Sequence, residues 1–211
     1  MAQIQTTVGV PLGANSSGGN PNLRSGNLGE LVVQELHGRY YETTFRKMQF
    51  SAATQTAVAL TAAFATTYTG LCLSNNPGNT VNLVVNKVGV AEVAAQTALT
   101  VIGLMAGYNG STAVVHSSTV TPACNFLNAP VGQGTVDVGC TLPTAPILRM
   151  VLTDLGAAGA TAFAAGPGFL WDLEGSFIIP PGGYLAFYST VATAATSLFL
   201  SFNWEELPIQ T

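Results

Sequence analysis

Two histidines, ten carboxylates and three cysteines are all that this 211-residue chain offers for acid–base, nucleophilic or metal chemistry. A serine hydrolase brings together Ser, His and a carboxylate, often around a Gly-x-Ser-x-Gly turn, and that motif does not occur. His37 falls in a charged segment and reads as a surface salt-bridge partner. His116 follows Val114-Val115 and precedes Ser117-Ser118, the position of a strand end. Asp172 and Glu174 are two apart and would share a strand face, while Glu205 and Glu206 are adjacent. A carboxylate pair can serve glycoside hydrolysis or hold calcium. Solvated acids near sheet edges account for both pairs without either role, and that is the reading preferred. Cys72, Cys124 and Cys140 have no CxxC spacing, which removes zinc ribbons and thioredoxin-like redox motifs. They read as three reduced thiols acting as small apolar residues. A Cys124–Cys140 bridge requires that their strands be neighbours. The expectation is a non-enzyme with no catalytic residue, no metal and no cofactor.

Other recognition chemistry is equally sparse. Gly132-Gln-Gly134 and Gly166-Pro-Gly168 suffice for turns and are too short for a nucleotide fingerprint. Tyr40, Tyr41, Phe45 and Phe50 accompany Arg39, Arg46 and Lys47, a thin case for base stacking on single-stranded nucleic acid. Packing of those rings against the rest of the fold explains them better. With six Lys plus Arg and a net charge of −4, the chain lacks the basic stripe that displaces counterions from phosphates, so no nucleic-acid partner is expected. The long uncharged stretch from Met48 to Asn86 is broken by Gln55, Gly70 and Asn75-Asn-Pro-Gly, so no membrane span is expected either. The start, Met-Ala-Gln-Ile-Gln-Thr, lacks a basic region followed by an apolar run, and no secretory signal is read there.

The elements that would position these residues divide into three zones. Residues 1–27 form a Gly/Asn/Ser/Pro-rich arm that cannot bury enough apolar surface to fold alone. Residues 28–50 hold Glu30, Glu35, Arg39, Glu42, Arg46 and Lys47. There Leu28, Leu31, Val32 and Leu36 follow helical spacing, and Glu35/Arg39 and Glu42/Arg46 are placed for i,i+4 pairs. Gly38 and the Tyr40-Tyr41…Phe45 run favour strand. A short helix near 28–37 followed by an extended segment over 40–50 is the expectation.

From residue 51 to 211 the pattern is β. Strands are expected at 58–61, 70–74, 80–90, 100–108, 112–117, 146–153, 175–179, 183–190 and 197–205, separated by turn-forming clusters. In the last strand Leu198, Leu200, Phe202 and Trp204 alternate with Phe199, Ser201, Asn203 and Glu205, the signature of a half-buried antiparallel strand. Pro180-Pro-Gly-Gly183 reverses the chain, with positive φ expected at the glycines. The resulting fold class is all-β, a jelly-roll-like antiparallel β-sandwich with an extended N-terminal arm. Only 8% of residues are charged, against about a quarter in an ordinary soluble protein. Such a surface loses little ionic hydration when a neighbour covers it, so the chain reads as a part made to be packed.

Glu35-Leu-His-Gly-Arg-Tyr-Tyr-Glu, Ala65-Thr-Thr-Tyr-Thr-Gly-Leu-Cys-Leu-Ser-Asn, Phe177-Ile-Ile-Pro-Pro-Gly-Gly-Tyr-Leu-Ala and Trp204-Glu-Glu-Leu-Pro resemble phrases in virion proteins of tailed bacteriophages. Within that class the chain is most similar to capsid cement, or decoration, proteins. The resemblance implies a jelly-roll-like subunit forming a homo-oligomer, commonly a trimer, over the major capsid protein on the capsid surface, assembled in the host cytoplasm. No site residue carries over individually. The alternative is a receptor- or glycan-binding head of a tail fibre or minor tail protein, with Tyr108, Phe169 and Trp171 as the sugar platform. A carbohydrate-active enzyme using Asp172 and Glu174 is the third reading.

Overall fold

The computed structural model describes residues 38–96, 98–127, 129, 131–155 and 168–209. The chain divides into two compact units, Met1–Tyr41 and Glu42–Thr211. The expected N-terminal arm and the expected helix near 28–37 lie outside the described residues, as does His37.

The segment expected to be extended over 40–50 instead contains a short helix, α1 (Tyr41–Phe45). Local pairing outweighs the β-branched and aromatic run. Arg46 Nε donates to Glu42 Oε1 at 2.7 Å, the i,i+4 pair that the spacing allowed. The helix closes with the Met48 amide on the Thr43 carbonyl and the Lys47 amide on that of Thr44, both at 2.9 Å. Lys47 itself takes a left-handed φ of 62°, so this is a Schellman end without the usual glycine.

Twelve strands follow: β1 (Gln49–Ala53), β2 (Thr67–Ser74), β3 (Val81–Glu92), β4 (Thr100–Tyr108), β5 (Val115–His116), β6 (Thr119–Val120), β7 (Ala123–Cys124), β8 (Thr135–Thr141), β9 (Ile147–Leu155), β10 (Phe169–Ile179), β11 (Gly183–Ser189) and β12 (Leu198–Pro208). One sheet has the order β10-β3-β12-β1-β7. The other runs β5-β8-β2-β11-β4-β9, with β6 also on β8. All pairings are antiparallel. With the two-residue strands β5–β7 and the seven-residue β8 that follows them set aside, eight strands remain. They pair β1 with β12, β2 with β11, β3 with β10 and β4 with β9. The first half of the chain is thus zipped to the second as one long ribbon, and the ribbon is wound so that its pairs fall alternately in the two sheets. That winding is a jelly roll.

The core lies between the sheets. Leu198, Leu200, Phe202 and Trp204 of β12 are all at most 1% exposed, and Phe187 of β11 meets Phe202 across the gap at 4.9 Å between ring centroids. The Pro-Pro-Gly-Gly reversal is a type II turn: the Gly183 amide donates to the Pro180 carbonyl at 2.9 Å, and Gly182 alone carries the positive φ, 87°. A Cβ at Gly182 would sit 2.6 Å from the Asn109 carbonyl oxygen.

Several strand expectations are corrected. Residues 58–61 contribute only an isolated bridge, Val58 to Leu198, and 112–117 only β5. The strand expected at 175–179 is the far end of the longer β10, interrupted by a bulge between Asp172 and Phe177. The extended segment expected over 40–50 reaches only Gln49 and Phe50 of β1, and β6, β7 and β8 fall outside every expected strand; Ser, Asp and Gly dilute the apolar alternation of β1 and β8.

Candidate functional site

Among the described residues the carboxylate that meets an imidazole is Asp137, a residue that no sequence motif marks. Strand β8 carries it into register with Cys72 of β2, and β5 lays His116 beside it. His116 Nδ1 lies 2.7 Å from Asp137 Oδ2. Asp137 is fully buried, whereas the His116 side chain retains 28% exposure. Burial raises the carboxyl pKa above the ordinary aspartate range; the hydrogen bond and charge of His116 pull it back down and offset part of that rise. Its second oxygen, Oδ1, has no hydrogen-bond partner.

Two buried thiols adjoin the pair. The neighbouring Cys140 thiol and burial together push the Cys72 pKa well above its usual value. Tyr68 is buried beside them, and its hydroxyl donates to the Phe187 carbonyl at 2.8 Å. The bulge that brings Tyr68 to this point depends on Gly70, whose φ is 113° and where a Cβ would lie 2.3 Å from Leu60 Cδ2. An Asp–His pair orients imidazole for general-base work when a nucleophile meets the other ring nitrogen. Here the thiol facing Asp137 is protonated and enclosed, the reverse of the exposed electropositive setting that activates cysteine. The cluster joins β2, β5 and β8. It does not assemble a reactive centre.

All three cysteines are free and buried. The Cys124–Cys140 bridge is not formed, because β7 and β8 belong to different sheets. Cys140 neighbours Cys72 instead, a pairing set by the β2–β8 register and invisible in the spacing.

The two carboxylate pairs part company. Asp172 and Glu174 both stay exposed on the edge strand β10, on either side of buried Leu173; Glu174 adopts φ 52° within the bulge, and its amide donates to Asp172 Oδ1 at 3.2 Å. Glu205 and Glu206 are not sheet-edge acids, since β12 runs between β1 and β3. Burial raises the Glu205 pKa. Glu206 continues the inward alternation of Trp204 and is only 7% exposed. Its carboxylate accepts from the Gln133 amide at 2.8 Å, the Gly134 amide at 2.9 Å and Trp204 Nε1 at 3.2 Å. A buried carboxylate with three donors is a structural clasp holding the 132–134 turn against the core. Among the described residues no group of His, Cys, Asp and Glu is placed to hold a metal ion, and no helix is long and apolar enough to cross a membrane.

The proposed sugar platform is not assembled. Phe169 and Trp171 pack on each other at 5.4 Å and are half-buried, with Trp171 against the core. Tyr108 is at the other end of the sandwich, opposite Gly183. What Tyr108 does border is an apolar groove of about 440 Å³ between β9 and β10, each the terminal strand on one side of its sheet. Tyr108, Ile147, Arg149, Phe177, Ile178 and Pro180 are among its lining. Ile147 is 66% and Ile178 59% exposed. Sequence reasoning could not find this groove, because its walls come from separate strands and meet only through the winding.

No protein-family model, no curated protein and no solved structure matches this chain.

Proposed function

We propose that the chain is a non-enzymatic virion structural subunit, a capsid cement protein that assembles with copies of itself, as a trimer, and bridges major capsid proteins on the capsid surface. The observation that carries the reading is the apolar groove with exposed Ile147 and Ile178 along the terminal strands β9 and β10 of a sandwich that has almost no charge. Exposed apolar surface of this kind on a soluble protein marks a contact site, and unpaired edge strands are usually covered or blunted. The jelly roll is used by viral capsid domains, and also by lectins and cupins, so the fold is compatible with the reading and does not choose it. The phage-like phrases quoted above point the same way.

The test is to purify the full chain, measure its mass by light scattering, and sediment it with expanded, empty phage capsids. A small oligomer that co-sediments to saturation is the expected result. A monomer that stays in the supernatant would overturn the proposal.

A further inference from the structure

The turn that follows β4 opens with Asn109-Gly110, the one Asn-Gly pair in the chain. Its first residue is held on both sides. The Asn109 amide donates to the Gly182 carbonyl at 2.9 Å, which fixes the main chain against the Pro180–Gly183 reversal. The side-chain oxygen Oδ1 accepts from the Ser111 amide at 3.3 Å, the Ser111 hydroxyl at 3.3 Å and the Thr112 amide at 3.2 Å. Among the described residues neither Asn109 Nδ2 nor the Gly110 amide has a hydrogen-bond partner, and Gly110 and Ser111 are exposed. The carboxamide thus has its oxygen polarised by three donors, its nitrogen unheld and an uncommitted backbone amide next to it.

We propose that Asn109 is a self-modification site, converted through a cyclic imide with Gly110 into aspartate and isoaspartate. Hydroxide takes the Gly110 amide proton, and that nitrogen bonds to Asn109 Cγ. Negative charge develops on Oδ1, where the Ser111 and Thr112 donors already point. The Cγ–Nδ2 bond then breaks, and ammonia leaves with a proton from water. Water adds to one of the two imide carbonyls, and ring opening leaves the chain linked through the main-chain or the side-chain carbonyl. One water is consumed, one ammonia is released, and nothing is oxidised or reduced. Gly110 leaves the approach open, because it has no side chain beside the attacking nitrogen. Asn75, Asn79 and Asn86 make the contrast. Their amide nitrogens donate to Val81 and Ile179, to Asn75 and Gln133, and to Gln49, and none of the three precedes a glycine. The product carboxylate stands next to Tyr108 at the rim of the β9–β10 groove. The modification does not depend on what the chain assembles with.

Peptide mass spectrometry of the full-length native protein, aged in mildly alkaline heavy-oxygen water, tests it. The peptide holding Asn109 is expected to take up one heavy oxygen and to split into aspartate and isoaspartate forms. Peptides holding Asn75, Asn79 and Asn86 are expected to stay unlabelled. Asn109→Gln should abolish the labelled pair. Ser111→Ala, which removes one donor to Oδ1, should slow conversion by roughly threefold to tenfold, the worth of one surface hydrogen bond. An unchanged melting temperature confirms that both variants are folded. Asn109 that stays intact in the native chain but converts in urea overturns the proposal, since the folded turn would then protect the site. Labelled aspartate without isoaspartate overturns the imide route, and an unchanged rate in Ser111→Ala overturns the role of the donors.

Discussion

Glu206, expected as a solvated acid near a sheet edge, is a buried clasp. Strand β12 continues past the expected end at Glu205, and its alternation carries Glu206 inward after Trp204. The clasp partners, the amides of Gln133 and Gly134, come from a turn about seventy residues away, and no local pattern announces them. Glu206→Ala should therefore lower unfolding free energy by about 3 kcal/mol, measured by urea denaturation, because the buried Gly134 amide and Trp204 Nε1 and the part-buried Gln133 amide lose their acceptor. Gly70→Ala should be at least as damaging, since it adds both a clash with Leu60 and an unfavourable φ. Asp137 sets a pH dependence. Its raised pKa means that the folded chain holds that proton to higher pH than the unfolded chain does. Stability from this group is then fullest below the ordinary aspartate pKa and is lost as pH rises through the folded value. Thermal melts of wild type against Asp137→Asn should show the wild type losing ground as pH rises from about 4; a constant difference would refute the sign.

At the scale of elements, the strands with strict alternation or dense β-branched residues, β3, β4, β11 and β12, were legible. β3 and β12 bury close to every second residue, whereas β11 is buried throughout and β4 along its middle, so density of β-forming apolar residues marks those two. The elements that were missed depend on partners. β8 pairs with three other strands despite an Asp and a Gly in its middle, and α1 forms through one i,i+4 pair and a left-handed Lys47. The terminal strands β9 and β10 give an element-level prediction. Ile147→Lys and Ile178→Lys change exposed side chains, so the unfolding free energy of a protein held as monomer should change by no more than the roughly 0.5 kcal/mol usual for surface changes. The same substitutions should shift the oligomer toward monomer on a sizing column. A large drop in melting temperature without change of mass would assign those residues to the core instead.

For the whole molecule, the sandwich class and its winding follow from features that the sequence displays: short alternating strands, turn clusters and a reversal at Pro180–Gly183. The groove was not legible, because it exists only where β4, β9, β10 and β11 converge. The candidate chemistry was legible chiefly as scarcity, and the structure uses its buried acids and thiols to tie strands together. On the proposed reading, a jelly roll of low charge density with an apolar, single-cation groove takes its role from what covers that groove. The most direct measurement is a cryo-electron microscopy reconstruction of the intact particle that contains this chain. The account predicts threefold clusters of the jelly roll on the outer capsid surface, with the β9 and β10 edges of each copy buried against a neighbour. Isolated copies with those edges open to solvent, or absence of the chain from the capsid, would contradict it.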